Sequence, residues 1–236
     1  MLSSSNESNK LIVGVKDERK WFEKLFTFDF NLSVTIYLPS DTYDNLQVRS
    51  STGNVKIPND FTFNTLKADL DTGNVTIKSN VTNLVDVKTS TGNSFLESLT
   101  SLNVKVKAST GNINLVSVKA LDLIDVEAST GDIKLIDTLS LGLKAKTSTG
   151  NIRLIRHISE MDMNLRASTG DIKFEDSDSY NIDAKTSTGS ITGTLLTGKT
   201  FITESDTGKI TVPPSTTGGS CKLVTDTGRI NIQIKE

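Results

Sequence analysis

The chain is poor in the residues from which most protein chemistry is built. Of its 236 residues one is cysteine, Cys221, and one is histidine, His157. A lone thiol excludes an intrachain disulfide. With one histidine, and with Cys221 in a column that reads as core, neither a zinc set nor a Cys/His nucleophile pair can be assembled. The recurrent glycines are evenly spread along the body of the chain, so no clustered loop exists to cradle a phosphate. No apolar run approaches the ~20 residues that span a bilayer, and residues 1–10 hold no hydrophobic signal region. Lys and Arg number 26 against 28 Asp and Glu, for a net charge of −2. No basic excess points to nucleic acid or to an anionic membrane. These absences lead to the expectation of a non-catalytic chain with no cofactor, no metal and no membrane insertion.

What the chain has in abundance is one tripeptide. Ser or Asp followed by Thr-Gly occurs ten times, at Thr52-Gly53, Thr72-Gly73, Thr91-Gly92, Thr110-Gly111, Thr130-Gly131, Thr149-Gly150, Thr169-Gly170, Thr188-Gly189, Thr207-Gly208 and Thr227-Gly228. The interval from one glycine to the next never varies by more than a single position. A period this constant, at roughly 20 residues, is the mark of a repeat architecture. Aligned on the glycines, the positions seven and five before Gly and two and four after it are mostly Val, Ile, Leu or Ala. Apolar and polar residues alternate at period two on each side, which is strand periodicity. The inward parity changes by one across the glycine, and a bend at Gly-Asn accounts for it, since Gly tolerates positive φ and Asn follows it in tolerance.

A unit with two short strands cannot bury its apolar face alone, but stacked units can. The sequence therefore predicts an all-β, single-domain parallel β-solenoid (β-helix) of about ten coils, each of roughly 20 residues. Right-handed winding follows from the crossover rule, and a left-handed hexapeptide coil would need multiples of six. At about 4.8 Å per coil the rod would be on the order of 45 Å long. The same parity places the Thr before each Gly on the inward face with the residues three, five and seven before it. The motif then reads as structural, with threonine hydroxyls stacked inside a narrow corner.

The chain divides into three stretches. Residues 1–10 are polar and predicted to be disordered. Residues 11–45 hold Trp21, Phe22, Phe26, Phe28 and Phe30, and read as an N-terminal cap and first partial coil. Within them 17–26 reads as helix or strand, and Leu32, Val34, Ile36 and Leu38 alternate as a strand. Residues 46–236 are the repeat body, with atypical C-terminal coils around Pro213-Pro214, which cannot extend a ladder.

The sharpest catalytic pattern is Asp-Thr-Gly, at Asp71, Asp206 and Asp226. The same tripeptide marks aspartic proteases, where two carboxylates share a proton. Asp206 and Asp226 occupy one column, and a pair of carboxylates at one-coil spacing suits a retaining glycosidase. A polysaccharide-acting enzyme is therefore an alternative reading. The simpler reading is Asp replacing Ser beside a turn, with Lys209 and Arg229 near enough to neutralise it. Asn54, Asn74, Asn93, Asn112, Asp132, Asn151 and Asp171 form a structural column after Gly. Glu175, Asp176 and Asp178 form an acidic corner that reads as solvated rather than as a Ca²⁺ loop. Thr-Ser-Thr at 89–91, 147–149 and 186–188 is like a flat ice-binding array, but inward threonines and the alternation of Ala with Thr oppose that reading.

Tyr37-Leu38-Pro39, then Leu46 to Pro58, then the repeated Ala/Thr-Ser-Thr-Gly-Asn/Asp-Ile resemble a bacterial adhesin-type family of β-solenoid domains of unknown function. The resemblance covers roughly residues 30–236 and carries no catalytic residue over. It implies a solenoid that presents polar ladders to a glycan or protein of the cell surface or envelope, with location outside the cytoplasm; an envelope-stress or regulatory role is equally compatible with the resemblance.

Overall fold

The computed structural model describes residues 2–7, 10–15, 33–214 and 217–235. They fall into two compact units, Met1–Pro39 and Ser40–Glu236. In the first, Leu2–Glu7 and Lys10–Val15 pair as an antiparallel hairpin with Glu7 opposite Lys10. The first ten residues thus supply a strand where disorder was expected. Residues 33–39 form no strand despite their alternation, and Val34 and Ile36 are exposed. Most of the expected cap, residues 16–32, lies outside the described residues.

The second unit is the expected parallel β-solenoid, of about nine turns. No helix occurs among the described residues. The strand before each glycine pairs in parallel with its counterpart in the next coil, and so does the strand after it. Thus Val104 aligns with Ile124, Val106 with Val126 and Ala108 with Ala128, while Ile113 aligns with Ile133 and Leu115 with Leu135. These residues are all buried. Period-two alternation puts every second side chain into the tube, and in-register stacking joins like with like.

Two further bends close the turns from Gly92 to Gly170. Ser98, Ser117, Asp137, Arg156 and Asp176 stand six residues after their glycines with φ of 50–53°. This left-handed bend recurs without a glycine, so no composition signal marks it. The third bend, before the next strand, absorbs the small variation in coil length. Register shifts fall there, between Ser140 and Gly142 and between Ser159 and Asp162, and another falls at the second bend, between Phe174 and Ser177.

The interior column between these two bends changes chemistry along the rod. It reads Leu99, Val118, Thr138, His157 and Ser177, all buried. His157 is satisfied on both ring nitrogens, with Nδ1 2.7 Å from the Thr138 hydroxyl and Nε2 3.0 Å from that of Ser159. Its backbone N–H donates to Ser177 Oγ at 3.0 Å. Burial pushes the imidazole pKa down to about 3.

The ten Thr-Gly levels do not stack in chain order. The last strand pair, Ser220–Thr227 and Ile230–Ile234, lies between the Gly189 coil and the Gly208 coil. Asp183 aligns with Lys222, and Lys222 with Ile202. The chain bypasses one level, builds the outer coil at Thr200–Ser205 and Ile210–Thr211, then returns to fill the gap. The columns alone are indifferent to this order, because both coils present the same pattern. Strand quality separates them. The inserted pair buries Cys221, Leu223, Thr225, Ile230 and Ile232. The outer coil has only a two-residue strand after its glycine and runs into Pro213-Pro214. A short, proline-terminated strand suits an edge, and a full-length apolar strand suits the interior.

The bypass segment is pinned by a buried ion pair. Lys199 Nζ lies 2.7 Å from Asp178 Oδ1, with both side chains nearly inaccessible to water. Lys199 also donates to the Ser179 carbonyl and to Thr197 Oγ1, and Asp178 accepts from the Ser179 and Leu196 amides and from Thr197. A buried pair this fully hydrogen-bonded fixes geometry, and removal of one partner would strand a charge.

The coil order can be tested by cross-linking. In a Cys221→Ala background, Asp183→Cys with Lys222→Cys should oxidise to a disulfide, since neighbouring parallel strands hold Cα atoms about 4.8 Å apart. Asp183→Cys with Ile202→Cys should not, being two levels apart; non-reducing electrophoresis distinguishes the pairs. A second test concerns His157, whose folded pKa lies below its unfolded value near 6.5. Below about pH 6.5 the unfolded chain takes up a proton that the fold refuses, so stability is lost as pH falls toward about 3. Urea titrations at pH 7 and 4.5 should show a drop for the native chain, and His157→Gln should remove the part due to this group.

Candidate functional site

The Thr-Gly bend is the most regular feature of the molecule, and its chemistry can be assembled residue by residue. Each glycine N–H from Gly53 to Gly189 donates to the threonine carbonyl of an adjacent coil, as Gly111 does to Thr130 at 2.9 Å. At Gly111 φ is +142°, and a Cβ there would lie 2.0 Å from the Gly92 carbonyl oxygen. Only glycine allows both that backbone and that approach.

The residue after Gly caps the next level. The Asn93 amide donates to Asn74 Oδ1 at 2.8 Å, Asn112 to Asn93, Asp132 to Asn112, and so on to Ser190 and Asp171. The column expected to be structural thus has a specific task, satisfying one backbone N–H per level. Three residues before Gly, buried threonines bond the glycine carbonyl of a neighbouring level: Thr147 to Gly131 at 3.0 Å, and Thr186 to Gly170 at 2.8 Å.

The threonine next to glycine does not point inward. All ten of these threonines are exposed, from Thr52 to Thr227. The preceding residue, Ser or Asp, is exposed at nine of the ten levels, and Ser187 is half-buried. The strand runs on to the threonine, but alternation breaks before the glycine, since Ser and Thr are successive outward residues. The inward expectation for the invariant Thr is therefore wrong, and the buried hydroxyls belong to the column three before Gly. None of the ten outer threonine hydroxyls makes a hydrogen bond among the described residues. The bend carries a row of unused hydroxyls at one-coil spacing, flanked by a Ser/Asp column and an Asn/Asp column. The Ala/Thr alternation lies inside and does not interrupt it.

Asp206 and Asp226 are on neighbouring levels, since Ser205 aligns with Thr225, and both are exposed. Neither forms an ion pair with Lys209 or Arg229 among the described residues. Asp71 stands far along the rod, between Ser51 and Ser90. The acidic corner is dispersed among cations. Glu175 meets Arg153 at 2.6 Å and Lys173 at 3.1 Å, Asp176 meets Lys235 at 2.5 Å, and Asp178 is buried on Lys199. The Lys235 hydrogen bond holds the Asp176 carboxyl below its usual range. Burial opposes ionisation of Glu175, yet Lys173 and Arg153 hold it below its usual range too. These carboxylates are committed to side chains of the fold. Cys221 is buried and its pKa is pushed up to about 12, chiefly by burial, which makes it an unreactive thiol.

The model of the Toastrack DUF4097 family matches residues 2–169 and 119–236, which together span nearly the whole chain. This chain belongs to the Toastrack family. No curated protein and no solved structure matches it. The Toastrack domain is a β-solenoid-like domain of unknown function, and the bend described above is the repeating unit of this Toastrack chain. No helix among its described residues is long and apolar enough to cross a membrane.

The two structural tasks at the bend differ in cost. Asn112→Ala removes one exposed cap and should lower stability by about 1 kcal/mol. Gly111→Ala meets a backbone oxygen and a forbidden φ together, and should cost several times more. Denaturant midpoints of the two variants check the order.

Proposed function

We propose that this Toastrack chain is a non-catalytic, adhesin-like binding module that presents its Ser-Thr bend to a repeating glycan or protein surface of the cell envelope. One observation carries this reading: ten threonines in a row face solvent with hydroxyls that the fold does not use. A structural account of the glycine and the Asn column is complete without them. Repeated weak contacts along a rigid row add through effective concentration, so a repetitive ligand gains most. The exposed Asp206 and Asp226 belong to this surface as acidic members of the serine column.

The outward threonines also support a second reading, ice binding, since the inward geometry that opposed it does not hold. One set of variants addresses both. Thr110→Lys, Thr130→Lys and Thr149→Lys together should reduce saturable binding in a glycan and cell-wall screen by at least tenfold, while Asn114→Lys on the other ladder should not. Thermal hysteresis in the native chain that these variants abolish would select ice instead. Product release from a glycan would end the non-catalytic reading.

A further inference from the structure

The net charge of −2 conceals a strong segregation. Two outward columns, six and four residues before each glycine, cover the flat face of the longer ladder. They hold ten Lys or Arg and six Asp or Glu, a net of +4. Some of these cations are spent within the face: Lys107 and Lys146 on Glu127, and Arg166 on Asp183. Lys88, Lys105, Lys144, Lys185 and Lys222 make no ion pair among the described residues, although Asp69, Asp86, Asp125 and Asp183 stand in register beside Lys88, Lys105, Lys144 and Lys222. The excess of positive charge on the face is therefore the net +4 rather than a field free of carboxylates. On the other ladder Lys78, Arg153 and Lys173 are committed to Glu97 or Glu175, while Lys56 and Lys134 make no ion pair among the described residues.

An apolar ridge runs along one edge of the basic face. Leu102, Leu121, Leu141, Met161 and Tyr180 occupy the third bend on successive levels, three or four residues before the charged column of each coil. Leu121 is 55%, Met161 54% and Tyr180 64% exposed, Leu102 is less so, and Leu141 is half-buried. Five levels make a ridge roughly 20 Å long. Tyr180 is isolated along the sequence, yet in the fold it ends a column that recurs once per coil.

We propose that this face docks on an anionic lipid bilayer, with the lysines over the headgroups and the ridge entering the interfacial region. Charge complementarity identifies the partner, because lysines near an anionic membrane surface are attracted individually and additively. A flat, rigid plane fits a planar partner. The ridge decides between a bilayer and a soluble polyanion: exposed Leu, Met and Tyr gain nothing from a polyanion in water, but gain from the headgroup–acyl boundary. This inference concerns a different face from the Ser-Thr bend and does not depend on it.

The test is co-sedimentation of the full chain with vesicles of phosphatidylglycerol and phosphatidylcholine, against phosphatidylcholine alone. Binding is expected to the anionic vesicles only, and to weaken with salt. Lys88→Gln, Lys144→Gln and Lys185→Gln together should lower the partition coefficient by on the order of a hundredfold, at about fivefold per lysine. Leu121→Ser with Met161→Ser should lower it at least tenfold, and Lys134→Gln on the other ladder should leave it unchanged. Absence of binding by the native chain overturns the proposal without any variant. Equal binding to neutral vesicles overturns it also. So does loss in the lysine variant with none in the ridge variant, when soluble polyphosphate competes fully; that pattern assigns a soluble polyanion. Self-association through this face, seen as a dimer in sedimentation that the ridge variant abolishes, overturns it if vesicles do not bind.

Discussion

Everything in the solenoid depends on one contact, the approach of one glycine to the carbonyl of the glycine a level away. The glycine N–H is bonded to a threonine carbonyl on one side, and on the other its α-carbon sits where no Cβ fits. This locks the levels in register, because a slip of one residue would bring a side chain against a backbone oxygen. Register then dictates the rest. With every level aligned, each column must serve one environment for the length of the rod. Columns that face the tube are apolar or, with few exceptions such as Ser94, make an internal hydrogen bond. The column after glycine caps an amide of the next level. Columns that face water are free to carry function.

The tube is not uniform. Its first half is filled mostly by Val, Leu and Ile, while later levels admit Thr138, His157, Ser159, Ser177 and the Asp178–Lys199 pair. These later polar groups are matched with one another, which is the condition for burying them. They accumulate next to the place where the chain leaves its regular path. The polar column and the bypass segment are parts of one arrangement: specific hydrogen bonds hold an irregular crossing that shape-filling apolar side chains would not define.

Outside the tube, three surfaces are chemically distinct: a hydroxyl row at the glycine bend, a lysine-rich plane, and an apolar ridge at the third bend. Their separation follows from the repeat, since each column is drawn out into a stripe. A protein of ordinary topology with the same composition would scatter these groups. Summed charge is therefore a poor guide to what a solenoid surface attracts, and the stripe is the meaningful unit.

The amino-acid sequence by itself determined the parallel solenoid, its period, its bend at glycine and most of its core. Ten in-register copies of one motif leave a single way to bury the alternating apolar residues. Tertiary structure alone decided which way the invariant threonine points, because the two outward residues before glycine break the alternation that sequence reasoning extends across them. It also decided the order of the last two coils, since both satisfy the same columns and only the quality of their edges separates them. The charged face and the ridge came from the same source: residues a full coil apart in the chain become neighbours only when it closes its turns.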